Sequence, residues 1–170
     1  LIAITGTNGK SSVADFYYQI LKFNKRRVAS IGTLGVKSNN KYINLSNTTT
    51  DPIQLGKILN YLKNQKVDDV ILEASSHGLS QNRLDGLKFN SGIFTNLSQD
   101  HLDYHKNLKD YLIAKLYLFD KLLSIKGNVI VDEKIPEFRN IKKIALKRNL
   151  KIYSINLSLI HISEPTRRSV

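Results

Sequence analysis

Ile2-Ala3-Ile4-Thr5-Gly6-Thr7-Asn8-Gly9-Lys10-Ser11-Ser12 decides how this chain folds. The apolar run Leu1 to Thr5 reads as a buried strand that stops at a glycine turn. From Lys10 to Asn24, apolar residues at Val13, Phe16, Tyr17, Ile20 and Leu21 recur with the helical period, which predicts a helix with one buried face. In a strand, glycine loop and helix joined in this order, backbone N–H groups and the helix dipole turn toward an anion. Gly6, Thr7, Asn8, Gly9, Lys10, Ser11 and Ser12 are therefore the candidate nucleotide-binding residues. Lys10 can reach β and γ phosphates, and the Ser11 hydroxyl can ligate Mg²⁺. A standard phosphate loop carries a glycine five positions before its Gly-Lys pair; here that position is Ile4, so the cradle is shorter. The competing reading is a plain glycine turn with a solvated lysine, and the strand-loop-helix context weighs against it. No Asn-Lys-x-Asp base-reading motif follows, which favours ATP over GTP.

Outward from the loop, β-rich runs alternate with helical periodicity. This predicts an α/β fold, a mostly parallel sheet flanked by helices. Strands are expected at Val28 to Ile31, Val70 to Ala74, Gly92 to Thr95, Val129 to Val131 and Ile152 to Ile155. Lys37 to Ser46 reads as a polar excursion with a short hairpin. Asp51 followed by Pro52 makes a helix start, with a stripe at Leu55, Ile58, Leu59 and Leu62. A long helix is expected over Leu108 to Leu123. Residues 157–170 have no periodicity, and Ile160 to Ser169 looks like translated adaptor or vector sequence, so the predicted domain is 1–156.

Composition narrows the classes. The chain has 170 residues, 41% hydrophobic and 24% charged, which is ordinary globular usage and enough for a core. No run is long enough for a membrane span, and no secretory signal opens the sequence. Zero cysteines exclude a disulfide framework and permit the cytoplasm. Zero methionines suggest a piece of a longer protein. The net charge of +12 raises nucleic acid as a partner, but no tight Lys/Arg cluster interleaves with aromatics, so solvated surface charge is favoured. A basic nucleic-acid-binding module is kept as the rival from another class.

Further chemistry lies at predicted strand ends. Glu73 closes Val70-Ile71-Leu72-Glu73, where ligands of open α/β sheets bind, and could hold Mg²⁺ beside phosphates. The competing, less favoured reading is a capped or salt-bridged structural glutamate. Arg83 offers a bidentate clamp for a carboxylate or phosphate, although a lone loop arginine is more often a surface residue. Asn47-Thr48-Thr49-Thr50-Asp51 offers hydroxyls at a helix start, with capping as the competing explanation. His101 and His105 are spaced for zinc on a helix, but Leu102 stands where a zincin needs glutamate, and alone both read as structural or exposed. Lys115 sits mid-stripe among Leu108, Tyr111, Leu112, Leu118, Phe119 and Leu122; periodicity alone favours a snorkelling side chain.

The short Gly-Thr-Asn-Gly-Lys loop resembles that of the Mur ligase superfamily, which folylpolyglutamate and cyanophycin synthetases share. Four segments in order resemble its tripeptide-forming branch: the loop, Asn47-Thr48-Thr49, Glu73-Ala74-Ser75-Ser76-His77-Gly78-Leu79 with Gln81 and Arg83, and Thr95 through His105. The resemblance covers about residues 1–155, the central ATPase domain. It implies a cytoplasmic ligase of peptidoglycan synthesis that uses ATP and Mg²⁺ to add a diamino acid to a UDP-muramoyl dipeptide through an acyl phosphate. It further implies that Asn47, Thr48, Thr49, Ser75, Gln81 and Arg83 bind the dipeptide and that Glu73 and His101 hold Mg²⁺. Lys115, in Ala114-Lys115-Leu116-Tyr117-Leu118-Phe119, is implied to be carbamoylated, a catalytic group together with Lys10 and His101. Desolvation lowers a lysine pKa and leaves an amine able to add CO₂. Other ligases of the superfamily are the nearest rivals.

Overall fold

The computed structural model describes residues 1–38, 41–100 and 104–155. His101 and the 157–170 tail therefore lie outside the described residues. The chain builds one eight-stranded sheet in the order β4-β3-β2-β5-β1-β6-β7-β8. Its strands are β1 (Ile2–Thr5), β2 (Val28–Gly32), β3 (Gly35–Ser38), β4 (Tyr42–Ile43), β5 (Asp69–Glu73), β6 (Phe89–Phe94), β7 (Leu123–Asp132) and β8 (Lys151–Ile155). The six strands from β2 to β8 pair in parallel, and the β3-β4 hairpin adds an antiparallel edge. The expected α/β class holds, and the polar excursion contains the expected hairpin.

Helices divide unequally between the two faces. Helix α1 (Lys10–Phe23) covers one face through Ala14, Val13 and Tyr17 against Ile4, Ile71 and Ile93. On the other face, α2 (Pro52–Asn64) lays down Leu55, Ile58 and Leu62. Each buried aliphatic side chain there contributes about 1.5–3 kcal/mol by leaving water. Asp51 caps α2, its carboxylate accepting from Gln54 N at 2.9 Å, with Pro52 at the first helical position as expected. Helix α3 (Ser76–Ser80) follows β5, and α4 (Leu108–Tyr117) follows the loop after β6.

Three expectations are corrected. The long helix over Leu108 to Leu123 is α only to Tyr117; one π-helical turn, Leu118–Leu122, completes it. That turn buries Leu118, Phe119 and Leu122 together and sets Phe119 against Phe94, their ring centroids 6.2 Å apart. Strand β7 begins at once at Leu123, six residues before Val129, with a register shift opposite Phe89 and Ser91. Helix α5 (Phe138–Lys147) was not anticipated, because four basic residues within it hide a stripe of Phe138, Ile141, Ile144 and Ala145. At its end the Arg148 guanidinium donates to the carbonyls of Phe119 (2.7 Å) and Leu123 (2.9 Å), which the π turn leaves without helical partners.

Because the central strands are parallel, the loops after β1, β2, β5 and β6 all emerge at one edge of the sheet. Gly6 to Gly9, Glu73 and Ser75 lie on these loops or strand ends, Lys10 to Ser12 in the first turn of α1, Gln81 and Arg83 in the turns after α3, Asn47 to Thr49 between β4 and α2, and Lys115 on α4.

Candidate active site

The loop between β1 and α1 is held by main chain and by the end of β6. Thr7 N donates to Asn96 O and Asn8 N to Asn96 Oδ1, both at 2.9 Å. Thr95 Oγ1 donates to Asn8 O at 2.7 Å, and Ser98 N to Thr7 Oγ1 at 3.0 Å. Gly6 has φ +143°, and a Cβ there would stand 1.9 Å from Thr95 Oγ1, so only glycine fits between loop and clamp. Gly9 begins α1 with no side chain capping the helix. In contrast, Asp51, Ser75 and Asn107 cap α2, α3 and α4. The first amides of α1 therefore remain open to an anion.

Two lysines converge on the same carbonyl. Lys10 Nζ donates to Gly6 O and Thr7 O, both at 2.9 Å, and Lys115 Nζ donates to Gly6 O at 2.8 Å. Lys115 is 1% exposed, and its ammonium lies 4.1 Å from the centroid of the Tyr111 ring. The snorkelling reading is thus overturned: the amine points inward across the helix to the loop rather than out to water. Burial, and secondarily the Lys10 charge, pull its pKa from 10.5 down to about 7. Burial also lowers the Lys10 pKa, against the opposing pull of Glu73 and Asp100.

Glu73 stands at the end of β5, 2% exposed. Its carboxylate accepts from Ser11 Oγ (2.9 Å), Thr33 N (3.1 Å) and Thr33 Oγ1 (3.2 Å). Gly32 makes room for it, since a Cβ there would come 2.1 Å from Glu73 Oε1. Among the described residues no cluster of three His, Cys, Asp or Glu could enclose a metal. Mg²⁺ does not require one: it keeps several waters and takes one or two carboxylates beside phosphate oxygens. The Glu73 carboxylate with the Ser11 and Thr33 hydroxyls is a hard-oxygen set that fits such an ion.

The remaining candidates form a patch on the other side of Glu73. Thr48 Oγ1 meets Thr33 Oγ1 at 2.9 Å, which joins the threonine segment to the glutamate. Arg83 Nη1 donates to Thr49 O (2.7 Å) and Arg83 Nε to Gln81 Oε1 (2.9 Å). Thr49 itself lies beneath the patch at 2% exposure, its hydroxyl donating to Glu73 O and accepting from Ser75 N. Ser75 Oγ accepts from Gly78 N and so starts α3. Asn47 and Ser12 are exposed and take no part in the network around Glu73. His105, by contrast, is 5% exposed and packs edge-on to Tyr104 and tilted against Tyr111.

The family of this chain is decided by a model of the Mur ligase middle domain, which matches residues 4–161. The chain belongs to the Mur ligase family. Two similar proteins are named UDP-N-acetylmuramoyl-L-alanyl-D-glutamate–2,6-diaminopimelate ligase. The one from Anaplasma marginale is 38% identical over 168 residues, covering 98% of this chain and 36% of the relative. The one from Rickettsia bellii is 44% identical over 156 residues, covering 89% and 33%. A solved structure of a ligase with that name superposes with a TM-score of 0.79 at 33% identity, over 90% of this chain and 31% of the other. A folylpolyglutamate synthase/dihydrofolate synthase with Mn, AMPPNP and L-glutamate bound shares the fold at 19% identity, with a TM-score of 0.65 over 90% of this chain and 42% of that one. The chain spans about a third of the length of the curated relatives it matches.

Against this Mur ligase geometry, sequence reasoning missed three groups. Gly32-Thr33 follows a strand without any phosphate-loop spacing, yet it shapes the Glu73 pocket. Thr95, Asn96 and Ser98, named only as part of the Thr95 to His105 segment and given no role there, clamp the loop from about ninety residues away in sequence. Tyr111 was visible only as a member of the stripe around Lys115, one helical turn before it, and it becomes the surface on which the amine rests.

Proposed function

We propose that the chain is the ATP-binding core of an ATP-dependent amide-forming ligase. Its acceptor would be UDP-N-acetylmuramoyl-L-alanyl-D-glutamate and its second substrate a diamino acid, as the relatives' names describe. The observation that carries this reading is the convergence of Lys10 and Lys115 on Gly6 O beside the Ser11–Glu73 contact. Two cations, open helix amides and a buried carboxylate together suit a nucleotide triphosphate and its metal, and a glycine turn with a solvated lysine needs none of them.

In this reading Lys10 leaves the loop carbonyls and pairs with the β and γ phosphates, while the amides of Gly9 to Ser11 hold the anion. Glu73, Ser11 and Thr33 hold Mg²⁺, which would neutralise phosphate charge, with His101 as the further candidate ligand. Arg83, oriented by Gln81 and Thr49, pairs with a carboxylate of the acceptor. The glutamate side-chain carboxylate takes the γ-phosphoryl group, and the amine then displaces phosphate to form the amide. Lys115 with its pKa near 7 is about half neutral at pH 7, whereas an ordinary lysine is neutral in fewer than about one molecule in a thousand. Its free amine can add CO₂, releasing one proton and forming a carbamate anion at the loop.

The test is acceptor-dependent phosphate release from ATP by the full-length enzyme carrying this domain. Lys10→Ala should weaken ATP binding about 10- to 100-fold, the loss of charge-assisted contacts worth about 1.5–3 kcal/mol. Unchanged ATP affinity in that variant would contradict the assignment of the loop.

A further inference from the structure

The loop after β6 returns a second aromatic residue to the patch. Tyr104 is 43% exposed, and its hydroxyl meets Ser80 Oγ at 3.2 Å and accepts from Gln81 Nε2 at 3.1 Å. Its ring lies 4.0 Å from that of His77 and 4.9 Å from that of His105. Gln81 is then fixed at both ends of its amide, the nitrogen on Tyr104 and the oxygen on Arg83 Nε. Arg83 is fixed in turn by Thr49 O. An amide held at one end only can rotate, and an arginine with one anchor keeps more rotamer freedom that binding must remove.

We propose that Tyr104 is a positioning residue for the acceptor: its hydroxyl sets the Gln81 amide, which sets the plane in which Arg83 meets a substrate carboxylate. This deepens the proposed function and rests on it. The hydrogen bonds from Ser80 and Gln81 also hold the Tyr104 phenol below its ordinary pKa, as expected of an oxygen that accepts donors. The ring and the hydroxyl have separable duties. Packing against His77 and His105 belongs to the ring, and phenylalanine preserves it.

The experiment compares wild-type, Tyr104→Phe, Gln81→Ala and the double variant of the full-length enzyme. Calorimetric binding of UDP-N-acetylmuramoyl-L-alanyl-D-glutamate and of ATP is measured, together with KM and kcat for each. Tyr104→Phe should raise the acceptor Kd and KM about fivefold, leave ATP affinity unchanged and lower kcat less than it raises KM. The double variant should be no worse than Gln81→Ala, because the two residues act through one amide. Equal acceptor affinity in Tyr104→Phe, parallel loss of ATP binding, or additive effects in the double variant would overturn the proposal. A wild-type enzyme that binds ATP but not this acceptor would instead overturn the functional reading beneath it.

Discussion

The glycine loop after β1 and the proposed acceptor patch sit at the same edge of one sheet and are built by different means. The loop is held by contacts that involve main chain at nearly every point, from Thr7 N on Asn96 O to both lysines on Gly6 O. The patch rests on side chains that meet one another, Tyr104 to Gln81 to Arg83 and Thr48 to Thr33, and that reach main chain at Thr49, Glu73, Ser75 and Gly78. A main-chain cradle is set once the sheet forms, because its donors and acceptors cannot rotate away. A side-chain patch retains rotamers that a ligand must still order. Substitutions in the loop should therefore act nearly all-or-none, and those in the patch by degrees.

Gly6→Ala should break this contrast hardest if the loop is less rigid than described. The new Cβ falls 1.9 Å from Thr95 Oγ1 at a φ of +143°, where strain alone amounts to about 1–3 kcal/mol. ATP binding by the full-length variant should fall at least about 100-fold while the far-ultraviolet circular dichroism stays native. Near-normal ATP affinity would show that the clamp yields. Gly32→Ala is expected to act more mildly on nucleotide binding, since its Cβ would press on the Glu73 side chain alone, whereas at Gly6 the Asn96 main chain also stands at 3.1 Å. Displacing the Glu73 carboxylate should raise the Mg²⁺ concentration needed for half-maximal phosphate release about tenfold, with metal-free nucleotide binding unchanged. Equal loss in both measurements would point to a broader disturbance of the β2 end.

A third effect is read in stability and pH rather than in binding. Lys115 titrates near 7 in the folded chain and near 10.5 unfolded, so the unfolded chain binds the extra proton between those values. Relative to Lys115→Met in CO₂-free buffer, the wild-type should gain stability as pH rises from about 7 toward 10.5. That gain should be lost as pH falls through about 7. A difference between the two proteins that does not change with pH would contradict the burial of a titrating amine.

The sequence made the loop and most of the parallel strands legible because both rest on local signals. Gly6, Gly9 and Lys10 are neighbours, and a strand such as Val70 to Ala74 is a short apolar run. What stayed hidden depends on distant partners. Helix α5 escaped because its basic residues mask the stripe that Ile141 and Ala145 bury. The π turn escaped because its cause is the fit of Phe119 against Phe94 and the reach of Arg148 to two carbonyls. Thr33 carries no pattern at all until β2 and β5 lie side by side and set its N–H on Glu73. Lys115 is the instructive intermediate. Periodicity placed it in an apolar stripe correctly, but only the tertiary contact with Gly6 O distinguishes an inward amine from one that reaches solvent.

The central claim is that Lys115 stands at the phosphate loop as a largely desolvated amine whose protonation is opposed by Lys10. It is tested most directly by the titration of the Lys115 side-chain nitrogen by nuclear magnetic resonance in lysine-labelled protein, wild-type against Lys10→Met, without CO₂. The account predicts a midpoint of about 7 in the wild-type, moving upward when the Lys10 charge is removed. A midpoint near the ordinary 10.5, indifferent to Lys10, would contradict it.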